Sequence, residues 1–514
     1  MERNADADAD ADADGNGVDL SWYPPRNTSM NDLDTALRGH GVNGITFDAD
    51  GEEVGGGYNW CDMPRVKRET YVVASPEFEL RYIEVIQRHH KRTPYASNAF
   101  PVEPYHWDCD DAGLYFYGAP FSSDSSQSLE PEPEPEPASS YWKGFISPIN
   151  PFIPSGWIGT CQFPQLTAAG LKDAYAHGED IYSVYHDLLS FLPDRDSDSE
   201  LWESRVRYRV TQNVITSQVA GMVISGTWGF SSSSSSKTIP LLLQSPGIDS
   251  LEPQYHCAMG TSLFNSIQSP SNERWKTHLE ASVGVYHALD DISGVPPSDP
   301  GFHSSFDHYY DNLSARQCHS KALPCKLPLN STCVSQTLAN TVYRLGHWEY
   351  SHIYRDSPTS LSASVSSFGV WIAELASHFR AVISSSSSSP QDQTPDQKTL
   401  YFHNIAHDGS ISRLLSILQI DIMIWPGMGS ELVFELYRKN QRTQSHSTSS
   451  FITPRASSGF YVRVLFSGRV LRSSNPSLGL MDMLPIEILL AYFDGLVGRD
   501  ASLVMGKCNG TIKT

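Results

Sequence analysis

The chain has 514 residues, of which 39% are hydrophobic and 11% aromatic, enough for a large packed core. Its 37 Lys and Arg side chains stand against 58 Asp and Glu, so the formal net charge is -21. This acidic balance argues against general binding to nucleic acid or to an anionic membrane surface, because both require a basic face. No run approaches the roughly eighteen apolar residues of a transmembrane helix, so we expect no membrane insertion.

The N-terminal residues 1–57 are rich in Asp, Ala, Gly and Asn and lack hydrophobic periodicity, which predicts a disordered acidic leader. The chain start shows no apolar h-region of a signal peptide. Residues 58–514 are expected to form the folded domain. Within it, the EPEPEPEP tract at 130–137 and the serine runs at 231–236 and 384–389 are expected to be surface insertions.

Three segments of the domain are predicted to be strands that lead into a turn or helix: LRYIEVIQ at 80–87, SRVRYRV at 204–210 and KTLYFHNIAHD at 398–408. ITSQVAGMVISGTWG at 215–229 and SISRLLSILQI at 410–420 have the spacing of helices. ELVFELYR and FYVRVLFSGRVLR, which start at 431 and 460, are interpreted as a hairpin-like pair. The alternation predicts an α/β core over about 70–230 and 396–514, with an inserted, mainly helical cap over about 240–395.

The eight cysteines contain no C-x2-C pair, so we expect no structural zinc site. Cys318, Cys325 and Cys333 are expected to form disulfides within the cap, with one of the three pairing elsewhere or staying free. Asn-x-Ser/Thr sequons occur at Asn27, Asn312, Asn330 and Asn509. Sequons and cysteines favour the secretory pathway, whereas the visible N-terminus does not, so the compartment is left open.

Chemistry-bearing side chains follow two of the predicted strands, in RHHKRTP at 88–94 and AHD at 406–408. Ligands of open α/β sheets bind beyond the carboxyl ends of the strands. If these two strands are neighbours, Arg88, His89, Arg92, His407 and Asp408 meet in one pocket. Guanidinium groups match phosphate oxygens, a histidine among cations stays neutral and nucleophilic, and a carboxyl group can protonate a leaving alcohol. The set predicts phosphoryl transfer to a histidine.

The same residues carry a resemblance to a known family. RHHKRTP resembles the RHGxRxP signature of the histidine acid phosphatase family, in its acid phosphatase and phytase branch, and AHDGSI resembles the second motif of that family. QFPQLTAAGLKDAYAHGEDIYSVY at 162–185 is similar to the Leu-Thr-x-x-Gly segment that follows the nucleophile, and the segments that start at 431 and 460 resemble the closing strands. The match covers most of residues 58–475 in the family order.

The resemblance implies an α/β fold, a three-layer sandwich around a mixed sheet with a helical cap. It also implies hydrolysis of a small-molecule phosphate monoester through a phosphohistidine, with an acidic optimum and without metal or other cofactor. His89 matches the nucleophile, Arg88 and Arg92 the phosphate-binding arginines, and His407 a second histidine that stabilises the transferring phosphoryl group. Asp408 matches the proton donor.

Two positions depart from the family pattern. His90 stands where the family has glycine, and the spacing to both arginines still marks His89, rather than His90, as the nucleophile. In the pattern R-x-T-x-x-x-R, Arg209 keeps the first arginine and is expected to bind substrate, but Ile215 replaces the phosphate-binding one. These changes motivate an alternative from another class, a pseudophosphatase that binds a phosphorylated or anionic partner without turnover.

Other chemistries find less support in the sequence. His403 and His407 have the i, i+4 spacing of a metal pair, but this spacing places two ligands together only on a helix, and the segment is predicted to be the end of a strand. His403 is therefore expected to be structural. The chain contains neither a G-x-S-x-G nucleophile elbow nor a P-loop.

Overall fold

The structure is a computed structural model that describes residues 17–41, 58–101, 105–118, 138–145, 147–152, 157–195, 205–229, 239–327, 332–385, 394, 398–440 and 458–512. The strands are β1 (Phe78–Arg88), β2 (Tyr105–Trp107), β3 (Leu114–Gly118), β4 (Ala138–Trp142), β5 (Trp157–Gly159), β6 (Val206–Val210), β7 (Leu241–Leu243), β8 (Tyr401–Ala406), β9 (Glu431–Lys439), β10 (Phe460–Phe466), β11 (Arg469–Val470) and β12 (Leu484–Pro485). The helices are α1 (Leu33–Arg38), α2 (Ala168–Tyr182), α3 (Val214–Trp228), α4 (Ala258–Ile267), α5 (Glu273–Ala281), α6 (Val283–Ser293), α7 (Pro300–His303), α8 (Asp307–Cys318), α9 (Gln336–Tyr354), α10 (Pro358–Ser385), α11 (Asp408–Ile417), α12 (Ile486–Val497) and α13 (Val504–Cys508). A π-helical segment, Ser183–Leu188, continues α2, and short 3₁₀ helices occur at Ala96–Asn98 and Arg499–Ala501.

The central sheet is mixed, with the strand order β11-β10-β9-β1-β8-β6-β7 and β12 beside β10. Strands β1, β8, β6 and β7 run parallel, and β9 pairs antiparallel with both β1 and β10. The three strands predicted from the sequence are neighbours in this sheet, and the two segments interpreted as a hairpin-like pair are β9 and β10. The predicted α/β class with a mixed sheet is confirmed.

Helices cover both faces of the sheet. Strand β1 directs Tyr82 and Ile86 into a core that it shares with α10, α11 and α12, and directs Ile83 and Val85 into a second core with α2 and α3. This alternation follows from the two-residue period of a strand, and a strand buried on both faces is apolar on both. The result is the three-layer sandwich that the sequence resemblance implies.

The cap consists mainly of helices α5 to α9 around a separate core rich in aromatic side chains, including Trp275, Tyr310 and Trp348, whereas α4 packs mainly on α10. It is shorter than the segment 240–395 that the sequence suggests. Strand β7 at the edge of the sheet and helix α10 both belong to the sandwich, because Phe368, Leu375 and other apolar side chains of α10 pack into the sheet core. The amphipathic spacing of apolar residues along α10 marks this helix as part of the sandwich, and composition alone did not show that boundary of the cap.

Part of the expected leader is ordered. Residues 17–41 pack on the domain: the backbone N–H of Tyr23 donates to the side-chain oxygen of Gln419 over 2.7 Å, and α1 buries Ala36 at 1% exposure. The prediction of a disordered leader is therefore wrong for this stretch, which is held by hydrogen bonds and single apolar residues rather than by a periodic face. The rest of the predicted leader, 1–16 and 42–57, lies outside the described residues.

Four disulfides pair all eight cysteines: Cys61–Cys318, Cys109–Cys161, Cys257–Cys508 and Cys325–Cys333. As expected, two of the three clustered cysteines join within the cap, and Cys318 pairs elsewhere. Of the sequons, Asn27 and Asn509 are exposed and Asn312 is fully buried, whereas Asn330 and most of the low-complexity tracts lie outside the described residues. Across the described ranges, no helix has the length and apolar character to cross a membrane.

Candidate active site

The register of β1 and β8 brings the two sequence motifs together. Arg88 at the end of β1 lies opposite Ala406 at the end of β8, and the backbone N–H of His89 donates to the Ala406 carbonyl over 3.1 Å. Because the strands are parallel, RHHKRTP and AHD leave the sheet at the same edge. The rings of His89 and His407 meet edge to face, with centroids 5.5 Å apart. The structure thus brings together Arg88, His89, Arg92, His407 and Asp408.

One hydrogen bond fixes the tautomer of His89. Its Nδ1 lies 3.1 Å from the backbone oxygen of His90, and a carbonyl can only accept, so the proton is on Nδ1 and Nε2 keeps its lone pair. Burial, followed by the charges of Arg92 and Arg88, holds the pKa of His89 well below its ordinary value of 6.5. The imidazole therefore favours its neutral form, with the lone pair on Nε2.

The two arginines of the motif are paired with carboxylates but keep free donors. Arg88 lies 3.0 Å from Asp408, and Arg92 lies 2.9 Å from Asp311 on α8 of the cap. The Nε atoms of both arginines are buried and have no hydrogen-bond partner among the described residues. Buried polar atoms are normally satisfied, so two unpartnered cationic N–H groups next to one histidine indicate an anion-binding site.

Asp408 is the first residue of α11 and is held in place by its neighbours. Its Oδ1 accepts from the backbone N–H of Gly409, and its Oδ2 accepts from the Trp425 indole, each over 2.8 Å. Burial raises the pKa of Asp408, but the charge of Arg88, the Trp425 hydrogen bond and the charge of Arg92 together lower it below the ordinary value of 3.8. Without a bound anion the side chain is therefore a carboxylate.

His407 is positioned by residues that the sequence analysis did not single out. Its Nε2 lies 2.9 Å from the Thr211 hydroxyl and 3.7 Å from a Glu252 carboxylate oxygen. Burial lowers the pKa of His407, so this ring is also neutral. Thr211 directly follows β6, and the rule used for the other two strands would have found it. Glu252, and likewise Asp311 and Trp425, come from segments without a recognisable motif.

The Leu-Thr-x-x-Gly segment shapes the loop that carries His89. Thr167 caps α2 by accepting from the Gly170 N–H over 3.3 Å. A Cβ at Gly170 would lie 1.9 Å from the Lys91 carbonyl oxygen, so only glycine lets α2 approach the loop this closely. The helix thus supports the backbone between Arg88 and Arg92 from below.

His90 is fully buried beside His89. Its Nε2 lies 3.2 Å from His177 Nδ1 and 3.0 Å from Gln87 Nε2. Room for the ring comes from Gly429, where a Cβ would lie 2.4 Å from His90 Cε1 and φ is +72°. The side chain that replaces the family glycine is therefore accommodated by a second glycine. His90 is directed at His177, whereas the ring of His89 faces His407.

Arg209 is not brought to this cluster, contrary to the role expected from the sequence. Its guanidinium donates to Glu374 on α10 over 2.8 Å and to Ser250 over 2.8 Å, and it pairs with Asp249 at 3.3 Å. The side chain lies on the α10 side of β6, because alternate strand residues point to opposite faces. Ile215 is fully buried in the core shared with α2.

His403 is a core residue, as expected. Its Nε2 lies 2.8 Å from the Gln87 side-chain oxygen and its Nδ1 lies 2.7 Å from the Tyr401 hydroxyl. The residue is on a strand and its two ring nitrogens are both engaged. The spacing to His407 therefore does not make a metal pair.

The fold of the chain is similar to that of several solved structures. No family model and no curated protein matches the chain. The Hafnia alvei phytase is similar to it with a TM-score of 0.47 and 12% identity, over 84% of this chain and 99% of the phytase. The Citrobacter braakii phytase has a TM-score of 0.47 and 10% identity, over 83% of this chain and 100% of the phytase. The Bifidobacterium longum multiple inositol polyphosphate phosphatase has a TM-score of 0.43 and 10% identity, over 80% of this chain and 92% of the phosphatase. These neighbours belong to the histidine acid phosphatase family, the family that the motifs of this chain resemble.

Proposed function

We propose that the protein hydrolyses small phosphate monoesters through a phosphohistidine at His89. The observation that carries this proposal is the tautomer of His89, which leaves the Nε2 lone pair free beside two arginines with unpartnered Nε donors. This is the arrangement that nucleophilic phosphoryl transfer requires: an unprotonated attacking atom and fixed cations for the developing charge.

The reaction has two steps. In the first, His89 Nε2 attacks phosphorus, the bond between phosphorus and the alcohol oxygen breaks, and the leaving oxygen takes a proton from Asp408. In the second, water attacks the phosphohistidine, Asp408 takes a proton from that water, and the bond between nitrogen and phosphorus breaks to release phosphate. Arg88, Arg92 and His407 hold the phosphoryl oxygens, and neither step uses a metal ion.

Substrate binding prepares Asp408 for the first step. In the free site, Arg88 is the strongest influence that lowers the pKa of Asp408. A bound phosphate monoester brings negative charge to the same guanidinium, so it offsets that influence and raises the pKa of Asp408. The carboxyl group then takes up a proton most readily in acid, which gives the enzyme an acidic optimum.

The test is hydrolysis of p-nitrophenyl phosphate between pH 3 and 8 in EDTA. We expect activity in the wild type, loss of at least about 1,000-fold in His89→Ala, and wild-type rates in the control His106→Ala, which removes an exposed imidazole elsewhere. Activity that needs a divalent metal, or that survives in His89→Ala, contradicts the mechanism.

A pseudophosphatase is the second candidate, and one feature of the site favours it. Both motif arginines already pair with carboxylates, Asp408 and Asp311, and Ile215 supplies no third guanidinium. A binding protein of this kind would bind inorganic phosphate, measured by calorimetry, and would show no turnover of any monoester. Turnover that disappears with His89 excludes it.

The pairing of all eight cysteines is consistent with a chain that folds in an oxidising compartment. We therefore place the proposed activity in the secretory pathway. Reduced cysteines in the protein purified from its native source, measured by thiol labelling before and after denaturation, would contradict this placement.

A further inference from the structure

A row of buried polar side chains lies beside the loop that carries His89. Gln87 and Glu431 are register partners where β1 ends and β9 begins, and their strands direct them to the face of the sheet that α2 covers. His177 of α2 and His90 meet them there, and all four residues are fully buried. Because buried polar groups are normally hydrogen-bonded, the protons of this row can be assigned one after another.

The amide of Gln87 determines the tautomer of His90. His403 Nε2 lies 2.8 Å from the Gln87 side-chain oxygen, which can only accept, so the amide nitrogen is the group directed at His90. That nitrogen lies 3.0 Å from His90 Nε2 and can only donate. Burial holds the pKa of His90 well below 6.5, so the ring is neutral. His90 Nε2 therefore presents a lone pair, and the proton is on Nδ1.

This lone pair determines the protons of His177 and Glu431 in turn. His177 Nδ1 lies 3.2 Å from His90 Nε2, and two lone pairs would repel at this distance, so His177 Nδ1 carries a proton. Burial lowers the pKa of His177 well below 6.5, so this ring is also neutral and its Nε2 has a lone pair. Glu431 Oε2 lies 2.8 Å from that Nε2. A hydrogen bond between them requires a proton on the carboxyl group.

The surroundings of Glu431 favour the protonated carboxyl group. Burial raises its pKa from 4.5 to about 7, although the Val66 backbone N–H and the charge of Arg65 both lower it. Arg65 is already paired with two aspartates, at 2.9 and 2.7 Å. Further ionisable groups that interact with Glu431 bring no positive charge to it: Asp180, Tyr185 and Tyr401.

We propose that Glu431 is a carboxylic acid in the folded protein in acid and that, through His177 and His90, it is a positioning residue for His89. The Glu431 hydroxyl donates to His177, His177 donates to His90, and the backbone oxygen of His90 accepts the Nδ1 proton of His89. This role rests on the proposed phosphohistidine mechanism, in which His89 attacks through Nε2. It also gives a function to the histidine that replaces the family glycine, because glycine has no side chain that α2 could hold.

Loss of the Glu431 proton would break this arrangement. A carboxylate can only accept, so the His177 proton moves to Nε2 and leaves a lone pair on Nδ1. That lone pair then faces the lone pair of His90 Nε2 at 3.2 Å, and His90 has to move. A shift of about 1 Å in a group that orients a nucleophile can lower the rate about 100-fold. Arg88 and Arg92 are not part of the row, so binding of the phosphoryl group is not affected.

The test compares two substitutions of Glu431 in the full chain. Glu431→Gln keeps an oxygen for the Val66 N–H and places an amide N–H opposite His177, so it imitates the protonated carboxyl group at every pH. Glu431→Leu fills a similar space without a donor. The matched control is Glu349→Leu, because Glu349 forms a buried pair with His278 at 2.7 Å in the cap.

Two measurements are made on these variants. Infrared difference spectra of the wild type against Glu431→Gln, at pH 5 and pH 9, detect the C=O stretching band of a protonated carboxyl group. Hydrolysis of p-nitrophenyl phosphate separates kcat from KM. We expect the band in the wild type at pH 5 and its loss at pH 9. We expect kcat within about twofold of the wild type in Glu431→Gln and Glu349→Leu, and a fall of at least about tenfold in Glu431→Leu with KM unchanged.

Three results would overturn the proposal. The first is the absence of the band at pH 5. The second is a kcat of Glu431→Gln as low as that of Glu431→Leu, which would show that a negative charge is required. The third is an undiminished kcat in Glu431→Leu; if that variant does not fold, the band and the kcat of Glu431→Gln decide. A wild type that does not hydrolyse p-nitrophenyl phosphate contradicts the phosphatase mechanism and with it the positioning role, while the band still tests the protonation of Glu431.

Discussion

At the scale of single residues, the site depends on how each side chain is oriented by one or two neighbours. The carbonyl of His90 directs His89 Nε2 into the site, and Trp425 and Arg88 hold Asp408 opposite it. These contacts involve atoms that a motif does not show. That His89 and Asp408 meet at one edge of the sheet could be predicted from the sequence, but their protonation states could not, because those states come from Trp425 and from burial.

Gly429 tests how tightly His90 is accommodated. In Gly429→Ala the new Cβ meets the His90 ring and the residue keeps φ +72°, so we expect a loss of about 2 to 4 kcal/mol in the free energy of unfolding. Gly459→Ala is the control, since its φ is +76° and nothing lies within 4 Å of its Cβ, and it should lose only about 1 kcal/mol. Urea denaturation measures both. Equal losses would show that the contact with His90 is not tight.

Ionisation of Asp307 in the cap should weaken substrate binding as the pH rises. Burial, together with the charges of Asp311 and Asp408, raises the pKa of Asp307 from 3.8 to about 7. The carboxyl group is therefore neutral in acid and adds a negative charge near Arg92 as the pH rises through about 7. We expect KM for p-nitrophenyl phosphate to rise roughly threefold across this range, and Asp307→Asn to remove the rise.

The free energy of unfolding should also fall as Asp307 ionises. A raised pKa means that the folded state holds the proton longer, so stability falls as the pH rises from 3.8 to about 7. Asp307→Asn should therefore stabilise the protein at pH 8 more than at pH 4. The control Asp291→Asn changes an exposed carboxylate that pairs with Lys326 on the cap surface. A KM profile that is identical in Asp307→Asn and the wild type would contradict the assignment.

At the scale of helices and strands, the sequence was informative where periodicity was strong. The alternating and apolar segments at 80–87 and 398–408 became β1 and β8, and their carboxyl ends meet as expected. The sequence did not indicate that Arg209 lies on the α10 side of β6, because a linear motif does not show on which face of a strand a side chain lies; its role in substrate binding stays a prediction. The cap boundary was misplaced because α10 is amphipathic within a region that composition assigns to the insertion.

The approach of α2 to the loop that follows β1 is tested by one glycine. In Gly170→Ala the methyl group collides with the Lys91 carbonyl, so the loop must shift and we expect at least about a 100-fold loss of kcat/KM. Gly221→Ala on α3 is the control, because nothing lies within 4 Å of its Cβ, and it should stabilise the helix by about 0.5 to 1 kcal/mol. Unchanged kcat/KM in Gly170→Ala would show that the contact does not position His89.

At the scale of the whole molecule, disulfides connect parts of the chain that are distant in sequence. Cys61–Cys318 joins the segment before β1 to the cap, and Cys257–Cys508 joins α4 to the last helix, across 257 and 251 residues. The even number of cysteines pointed to such bonds, but their pairing depends on the tertiary fold. Likewise, the order of residues 17–41 depends on contacts with Gln419 and Asp421, which no local pattern predicts.

Loss of a disulfide between residues distant in sequence should lower the free energy of unfolding more than loss of a short-range disulfide. A disulfide that closes a long loop restricts the unfolded chain more, so loss of Cys257–Cys508 in the double serine variant should cost about 5 to 6 kcal/mol. Loss of Cys325–Cys333, which closes a loop of 8 residues, should cost about 2 to 3 kcal/mol. Thermal unfolding of the two variants measures the difference. A larger effect of the short loop would contradict the chain-entropy account.

The measurement that tests the central claim most directly is the location of the phosphoryl group in a trapped intermediate. Asp408→Asn lacks the group that activates water, and p-nitrophenolate leaves without a proton, so the phosphoenzyme should accumulate after mixing with p-nitrophenyl phosphate. Digestion at alkaline pH followed by mass spectrometry then identifies the modified residue. We predict phosphate on His89, attached at Nε2. Phosphate on His90, or turnover by the wild type with no phosphohistidine formed, would contradict the assignment of the nucleophile.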